Sequence, residues 1–231
     1  MKTIGLLGGM SWESTANYYK AINEGVKREL GGFHSAKVAL YSVDFAEIES
    51  LQRQGDWDAA ARCLSESAKC IEAAGADCLL ICTNTMHKVS SEIESIISIP
   101  LLHIADATAE RLKYDGVTKV GLLGTAFTME QSFYKGRLEQ KYDIEVVVPN
   151  PEQRALVHEV IYSELVKGKV SDTSRQSYLT IIESLRNSGA QAIILGCTEI
   201  AMLIEQKHTN VPLYDTTQIH SEAAVEFALN Q

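Results

Sequence analysis

Short apolar runs and longer amphipathic stretches alternate along this chain. Residues 4–7, 38–41, 78–81, 119–123, 145–148 and 192–195 are apolar runs bounded by glycine or other turn residues. They read as buried parallel strands, because a strand covered on both faces needs no polar alternation. Between them, residues 14–30, 58–74, 129–141, 152–167, 172–188 and 217–229 read as helices, with stripes such as Tyr18, Ile22 and Val26. Strand–helix alternation predicts βαβ units and an α/β fold with parallel sheets. In open sheets of this kind ligands bind beyond the carboxyl ends of the strands. Four small, polar corners fall there: Gly8-Gly9-Met10-Ser11, Thr83-Asn84-Thr85, Thr125-Ala126-Phe127-Thr128 and Cys197-Thr198-Glu199. They are expected to converge on one cleft.

The pattern occurs twice. Gly-Ala-Asp-Cys-Leu-Leu-Ile-Cys-Thr at 75–83 aligns without a gap with Gly-Ala-Gln-Ala-Ile-Ile-Leu-Gly-Cys at 189–197. Ile4-Gly5-Leu6-Leu7-Gly8-Gly9 matches Val120-Gly121-Leu122-Leu123-Gly124-Thr125, and Ile99-Pro100-Leu101 matches Val211-Pro212-Leu213. A repeat this long marks duplicated domains rather than a solenoid. The reading is a first α/β domain at 1–103 plus 215–231 and a second at 104–214, with Tyr114-Asp115-Gly116 as a joint. Thr83 and Cys197 become counterparts. Two facing halves can present one polar atom to each side of a small substrate, as a racemase or epimerase requires.

Composition narrows the partners. A net charge of −9 argues against nucleic acid or an anionic membrane. No apolar run is long enough to span a bilayer. The N-terminal residues go into a strand-like run without the apolar stretch and small-residue cleavage site of a signal peptide, so no secretory leader is expected. Five cysteines, four of them between positions 63 and 82, do not form a secreted disulfide framework. Reduced thiols and a cytoplasmic location are expected. Cys63 and Cys70 fall on one side of the 58–74 helix and read as core. No Cys/His spacing suggests zinc.

Individual residues carry both structural and chemical readings. Cys197 ends a strand and precedes Thr198-Glu199, which would begin a helix. A helix N-terminus lowers a thiol pKa toward the reactive thiolate, and Glu199 is a candidate partner. Cys82 stands one residue before Thr83 and aligns with Gly196. Side chains alternate along a strand, so it should point into the core. Gly8-Gly9 before a helix could hold a carboxylate on backbone N–H groups; it lacks the third glycine of a dinucleotide fingerprint. His87 either makes a structural bond or supports the Thr83 corner. Lys167, read as ending a helix, is either solvated or faces an acidic substrate. Gln52 and Arg53 read as loop residues and substrate contacts.

The motifs Gly-Gly-Met-Ser-Trp-Glu-Ser-Thr (8–15), Leu51-Gln52 before Gly55-Asp56-Trp57, and Leu-Gly-Cys-Thr-Glu (195–199) resemble the aspartate/glutamate racemase family, in its aspartate-racemase branch. The resemblance spans essentially the whole chain. It implies two flavodoxin-like α/β domains related by pseudo-twofold symmetry, with the site in the cleft between them. It implies proton exchange by two cysteines on opposite faces of an α-carbon, with no pyridoxal phosphate, other cofactor or metal. The family's first motif is Cys-Asn-Thr; here it reads Thr83-Asn84-Thr85. Carried over, Cys197 is the base for the L-enantiomer and Thr83 serves the other face. Asn84, Thr85, Thr198 and nearby backbone would hold the α-carboxylate; Lys167, Gln52 and Thr125 or Thr128 would meet the side-chain carboxylate. Met10 and Glu199 complete the implied site. The implied partner is a small acidic amino acid, and the family suggests a homodimer. Two alternatives stay open: a single-cysteine decarboxylase or isomerase of the same superfamily, and a non-catalytic protein that binds acidic amino acids.

Overall fold

The computed structural model describes residues 1–230. The chain forms two compact units, residues 1–104 with those from 217 onward, and residues 105–216. The first contains β1 (Thr3–Gly8), α1 (Trp12–Leu30), β2 (Lys37–Ser42), α2 (Phe45–Gln54), α3 (Trp57–Ala73), β3 (Cys78–Ile81) and α4 (Ser90–Glu94). The second contains α5 (Ile104–Tyr114), whose first residue still belongs to the first unit, then β4 (Lys119–Gly124), α6 (Ala126–Glu130) and α7 (Ser132–Tyr142). It continues with β5 (Glu145–Val147), α8 (Pro151–Ser163), α9 (Asp172–Asn187), β6 (Ala192–Gly196), α10 (Ile200–Leu203) and β7 (Leu213–Asp215). α11 (Thr216–Leu229) returns the chain to the first unit.

Both sheets are parallel. The strand orders are β2-β1-β3 and β5-β4-β6-β7. The repeated Ile/Val-Pro-Leu segment explains their outer edges. The Pro212 carbonyl accepts from Ile193 N–H at 2.8 Å and leads into β7. In the first unit the Pro100 carbonyl accepts from Leu79 N–H at 2.9 Å, and Leu101 forms a single parallel bridge to Leu79. A proline keeps its carbonyl as an acceptor while contributing no N–H to the outer edge.

Side-chain alternation sorts the first core into two layers. Leu7, Leu79 and Ile81 face Ile48, Leu64, Ala68 and Ile71, which come from α2 and α3. Ile4, Leu6, Cys78, Leu80 and Cys82 face Tyr18, Ile22 and Val26 of α1 and Ala224, Val225 and Ala228 of α11. Each fully buried aliphatic side chain contributes about 1.5–3 kcal/mol, so both faces hold the strands in register.

Several elements differ from the sequence reading. The helix expected over 129–141 is two helices, broken where Gln131 adopts an extended conformation (φ −91°, ψ 155°). α8 ends at Ser163; Lys167 lies in a separate 3-10 turn, Leu165–Lys167. Gln52 belongs to the last turn of α2, not to a loop. α2, α4, α5 and the three-residue β7 have no counterpart in the sequence reading. Tyr114-Asp115-Gly116 is the turn between α5 and β4, inside the second unit. Among the described residues, no helix is long and apolar enough to cross a membrane.

Candidate functional site

Each unit places two loops side by side, because the strands that feed them are neighbours. In the first unit these follow β1 and β3. Gly9 has φ +94°, and a Cβ there would collide with the Val43 backbone, so only glycine makes this turn. Its N–H donates to Thr15 Oγ1 at 2.8 Å, and that hydroxyl donates to the Ser11 carbonyl at 2.9 Å. Ser11 caps α1 by accepting from Ser14 N–H. The Gly9 amide is therefore already satisfied within the turn and is not free for an anion. Met10 is also buried, within the apolar core of the first unit.

The Thr83 corner is held through its carbonyls. Ser14 Oγ donates to the Cys82 carbonyl at 2.8 Å. The Thr83 carbonyl lies 2.8 Å from His87 Nδ1, and the Asn84 carbonyl accepts from His87 N–H at 3.1 Å. Cys82 points into the core, and burial raises its thiol pKa far above the ordinary value. Thr83 is partly exposed, while Asn84 and Thr85 are buried at the start of the 3-10 turn Thr85–Val89. Gln52 is buried too, and its amide donates to Met86 Sδ within the unit.

In the second unit the loops follow β4 and β6. Gly196 is required by closeness: a Cβ there would lie 2.9 Å from the Leu123 carbonyl oxygen. Thr128 packs over Gly124 and Gly196 and is fully buried. Thr125 caps α6, and its hydroxyl lies 3.3 Å from that of Thr128. Both threonines therefore serve the loop itself, beside any ligand role. Cys197 follows Gly196 and is partly exposed; Thr198 and Glu199 are buried. The Cys197 thiol donates to Glu199 Oε2 at 3.0 Å.

That contact reverses the expected electrostatics. Burial and the Glu199 carboxylate push the Cys197 thiol well above its ordinary pKa, against a smaller lowering by the Glu199 backbone N–H. The helix meant to lower it, α10, has four residues, too few for a strong terminal field. At neutral pH this thiol is protonated. The segment is braced by Arg175 of α9, whose Nε donates to the Leu203 carbonyl at 2.9 Å. Lys167 belongs to this unit and is exposed.

Three supporting groups escaped the sequence reading. Ser14 holds the Cys82 carbonyl. His158 Nδ1 accepts from Ala126 N–H at 3.1 Å, steadying the Thr125 loop. Tyr178 is buried, which chiefly raises its pKa, and it donates its hydroxyl to the Val157 carbonyl at 3.0 Å. None carries a local signal, since each acts across a sequence separation that periodicity does not see. Among the described residues, no group of three or more His, Cys, Asp or Glu side chains has a metal-holding arrangement.

Known proteins share this fold. A Yersinia pestis protein whose crystal structure was described provisionally as an Asp/Glu racemase superposes with a TM-score of 0.95, at 54% identity over the whole of both chains. An aspartate racemase homologue from Pyrococcus horikoshii gives 0.87 at 35% identity, also over the whole of both chains. The broad-specificity amino-acid racemase of Bacillus subtilis is 22% identical over 225 residues, 96% of each chain. The Asp/Glu/hydantoin racemase family model matches residues 7–224. The chain belongs to the Asp/Glu/hydantoin racemase family.

Proposed function

We propose that the protein converts L-aspartate or L-glutamate to the D-enantiomer by removing and returning the α-proton without a cofactor. The observation that carries this reading is the Cys197 thiol, partly exposed at the end of β6 and hydrogen-bonded to a buried carboxylate, in a chain of this family. Cys197 takes the α-proton of the L-substrate, and Thr83 serves the opposite face of the resulting carbanion. A threonine hydroxyl is a far weaker acid than a thiol and stays protonated at neutral pH, so Thr83 makes a poor base; it donates or relays a proton that solvent replaces.

The raised thiol pKa sets a condition on this chemistry. Cys197 must lose its proton before it can act as a base. A substrate ammonium beside the α-carbon opposes the field of Glu199 and favours the thiolate. Asn84, Thr85 and Thr198 supply donors for the α-carboxylate, where charge accumulates as the proton leaves. One such donor typically contributes about 3 kcal/mol to a transition state. Lys167 supplies a positive charge for the side-chain carboxylate.

The same protonated thiol favours a second reading. A neutral thiol is a proton donor, suited to quenching a carbanion left by loss of carbon dioxide. The test incubates the protein with each enantiomer of aspartate and glutamate in D2O, following the α-proton by NMR and the enantiomer by chiral chromatography. D-product from L-substrate, abolished by Cys197→Ser, is the expected outcome. Absence of α-exchange together with carbon dioxide release from a substituted malonate would replace racemisation by decarboxylation.

A further inference from the structure

His87 makes an unusual set of contacts for a buried side chain. Its own backbone N–H takes the Asn84 carbonyl, and its ring Nδ1 lies 2.8 Å from the preceding carbonyl, that of Thr83. Its far nitrogen, Nε2, accepts from the N–H of Ile104 at 3.2 Å. A nitrogen that accepts carries no hydrogen. The ring proton must therefore sit on Nδ1, where it donates to the Thr83 carbonyl. One residue anchors two successive carbonyls of the turn that carries the Thr83 hydroxyl.

The tautomer is supported from behind. The His87 ring stacks edge-on against His103, with centroids 4.5 Å apart, and lies 5.8 Å from His220. His220 is fixed in its turn: Nε2–H donates to the Leu102 carbonyl at 2.7 Å, so Nδ1 accepts from the Tyr18 hydroxyl at 2.9 Å. Burial, with His103 and His220 adding to it, holds His87 neutral.

We infer that His87 is the positioning residue for Thr83: its Nδ1–H fixes the Thr83 carbonyl and thereby the hydroxyl that returns a proton to the face opposite Cys197. The inference rests on the role proposed above for Thr83. It separates two halves of the reaction. Abstraction and return by Cys197 exchange the α-proton of L-substrate without inverting it. Only delivery on the other face yields D-product. Loosening Thr83 should therefore lower D-product formation relative to α-exchange of the L-substrate, whereas a general loss of structure lowers both together.

Side-chain amides supply the variants. Asn places an N–H near the position of Nδ1, and Gln places its amide nearer Nε2. His87→Gln should keep the fold, as judged by thermal melting, and lower the ratio of D-product to L-exchange on the order of tenfold, as for a displaced reacting group. His87→Asn should restore much of that ratio. An unchanged ratio in His87→Gln, or a parallel fall in both rates, overturns the inference. Thr83→Ala is the control: if it leaves the ratio intact, the role of Thr83 itself is wrong, and that failure is distinct. Nitrogen-15 shifts of the unmodified protein give a measurement that needs no variant. They should show His87 protonated at Nδ1, and an Nε2–H tautomer would overturn the inference.

Discussion

Cys197 shows how a single contact can outweigh a local rule. Placement after a strand and before a helix suggests a lowered thiol pKa. The structure instead sets the thiol against the Glu199 carboxylate at 3.0 Å and buries both partners' surroundings. The carboxylate acts in two ways, as a negative charge that disfavours a thiolate and as an acceptor that favours the thiol. Glu199→Gln removes the charge and keeps the shape. The thiol pKa should then fall, so iodoacetamide should alkylate Cys197 faster at mildly alkaline pH, and the rate should plateau at lower pH than in the unmodified protein. Mass spectrometry of the Cys197 peptide reads this directly. Equal alkylation profiles would mean that burial alone sets the thiol. Nothing in the spacing of residues 195–199 reveals the direction of this effect, because the sign depends on where the Glu199 side chain turns.

At the scale of elements, α11 and the segment around Leu102 are joined by His220. Its pKa is pushed down to about 4 by burial, the hydrogen bond to Leu102 opposing only in part. The unfolded chain titrates near 6.5, so between these values the unfolded state binds a proton that the native state refuses. The stabilisation is present above about pH 6.5 and is lost as pH falls toward 4. Its size is about 3 kcal/mol for this one group, because each tenfold loss of proton affinity on folding corresponds to about 1.4 kcal/mol. His87 is also held neutral and adds in the same direction. Urea unfolding at a series of pH values should show the midpoint dropping steadily across this window. His220→Phe should flatten that drop while lowering stability at pH 7, because the Tyr18 hydroxyl and Leu102 carbonyl lose their partner. A midpoint independent of pH between 7 and 4 would show that the histidines are not buried as neutral rings. The strands that hold these elements were legible, since long apolar runs dictate buried parallel pairing. The histidine cluster was not: His87, His103 and His220 come together only through the fold.

At the scale of the whole molecule, the chain carries two related α/β units, which differ at the aligned positions 83 and 197. Neighbouring-strand order, the Pro100 and Pro212 carbonyls, and the threonines Thr15 and Thr128 packed over Gly8 and Gly124 recur in both. The repeated glycines and the two Ile/Val-Pro-Leu segments were readable, because duplicated backbone geometry demands duplicated glycines and prolines; the strand order and the packing of the two threonines were not. The half-sites were less so. Met10, Gln52 and Thr128 are tied into their own units, a fact fixed by packing rather than by spacing. The repeat does align Thr83 with Cys197, and there the two copies differ in acidity rather than in shape. A racemisation has an equilibrium constant of one, so kcat/KM is equal in the two directions. If Thr83 serves the face opposite Cys197 as proposed, its weakness as a base appears as α-proton exchange of L-substrate outpacing both inversion and exchange of D-substrate, and not as an altered ratio of products at long times. Thr83→Cys exchanges side chains of similar volume at a partly exposed position, which the fold should accept. A thiolate can then form on that face, and α-proton exchange from D-substrate in D2O should rise by at least tenfold, a difference of about 1.4 kcal/mol in barrier. Exchange from L-substrate should change little, because Cys197 is untouched. Equal exchange from both enantiomers before the substitution would remove the case for an asymmetric pair.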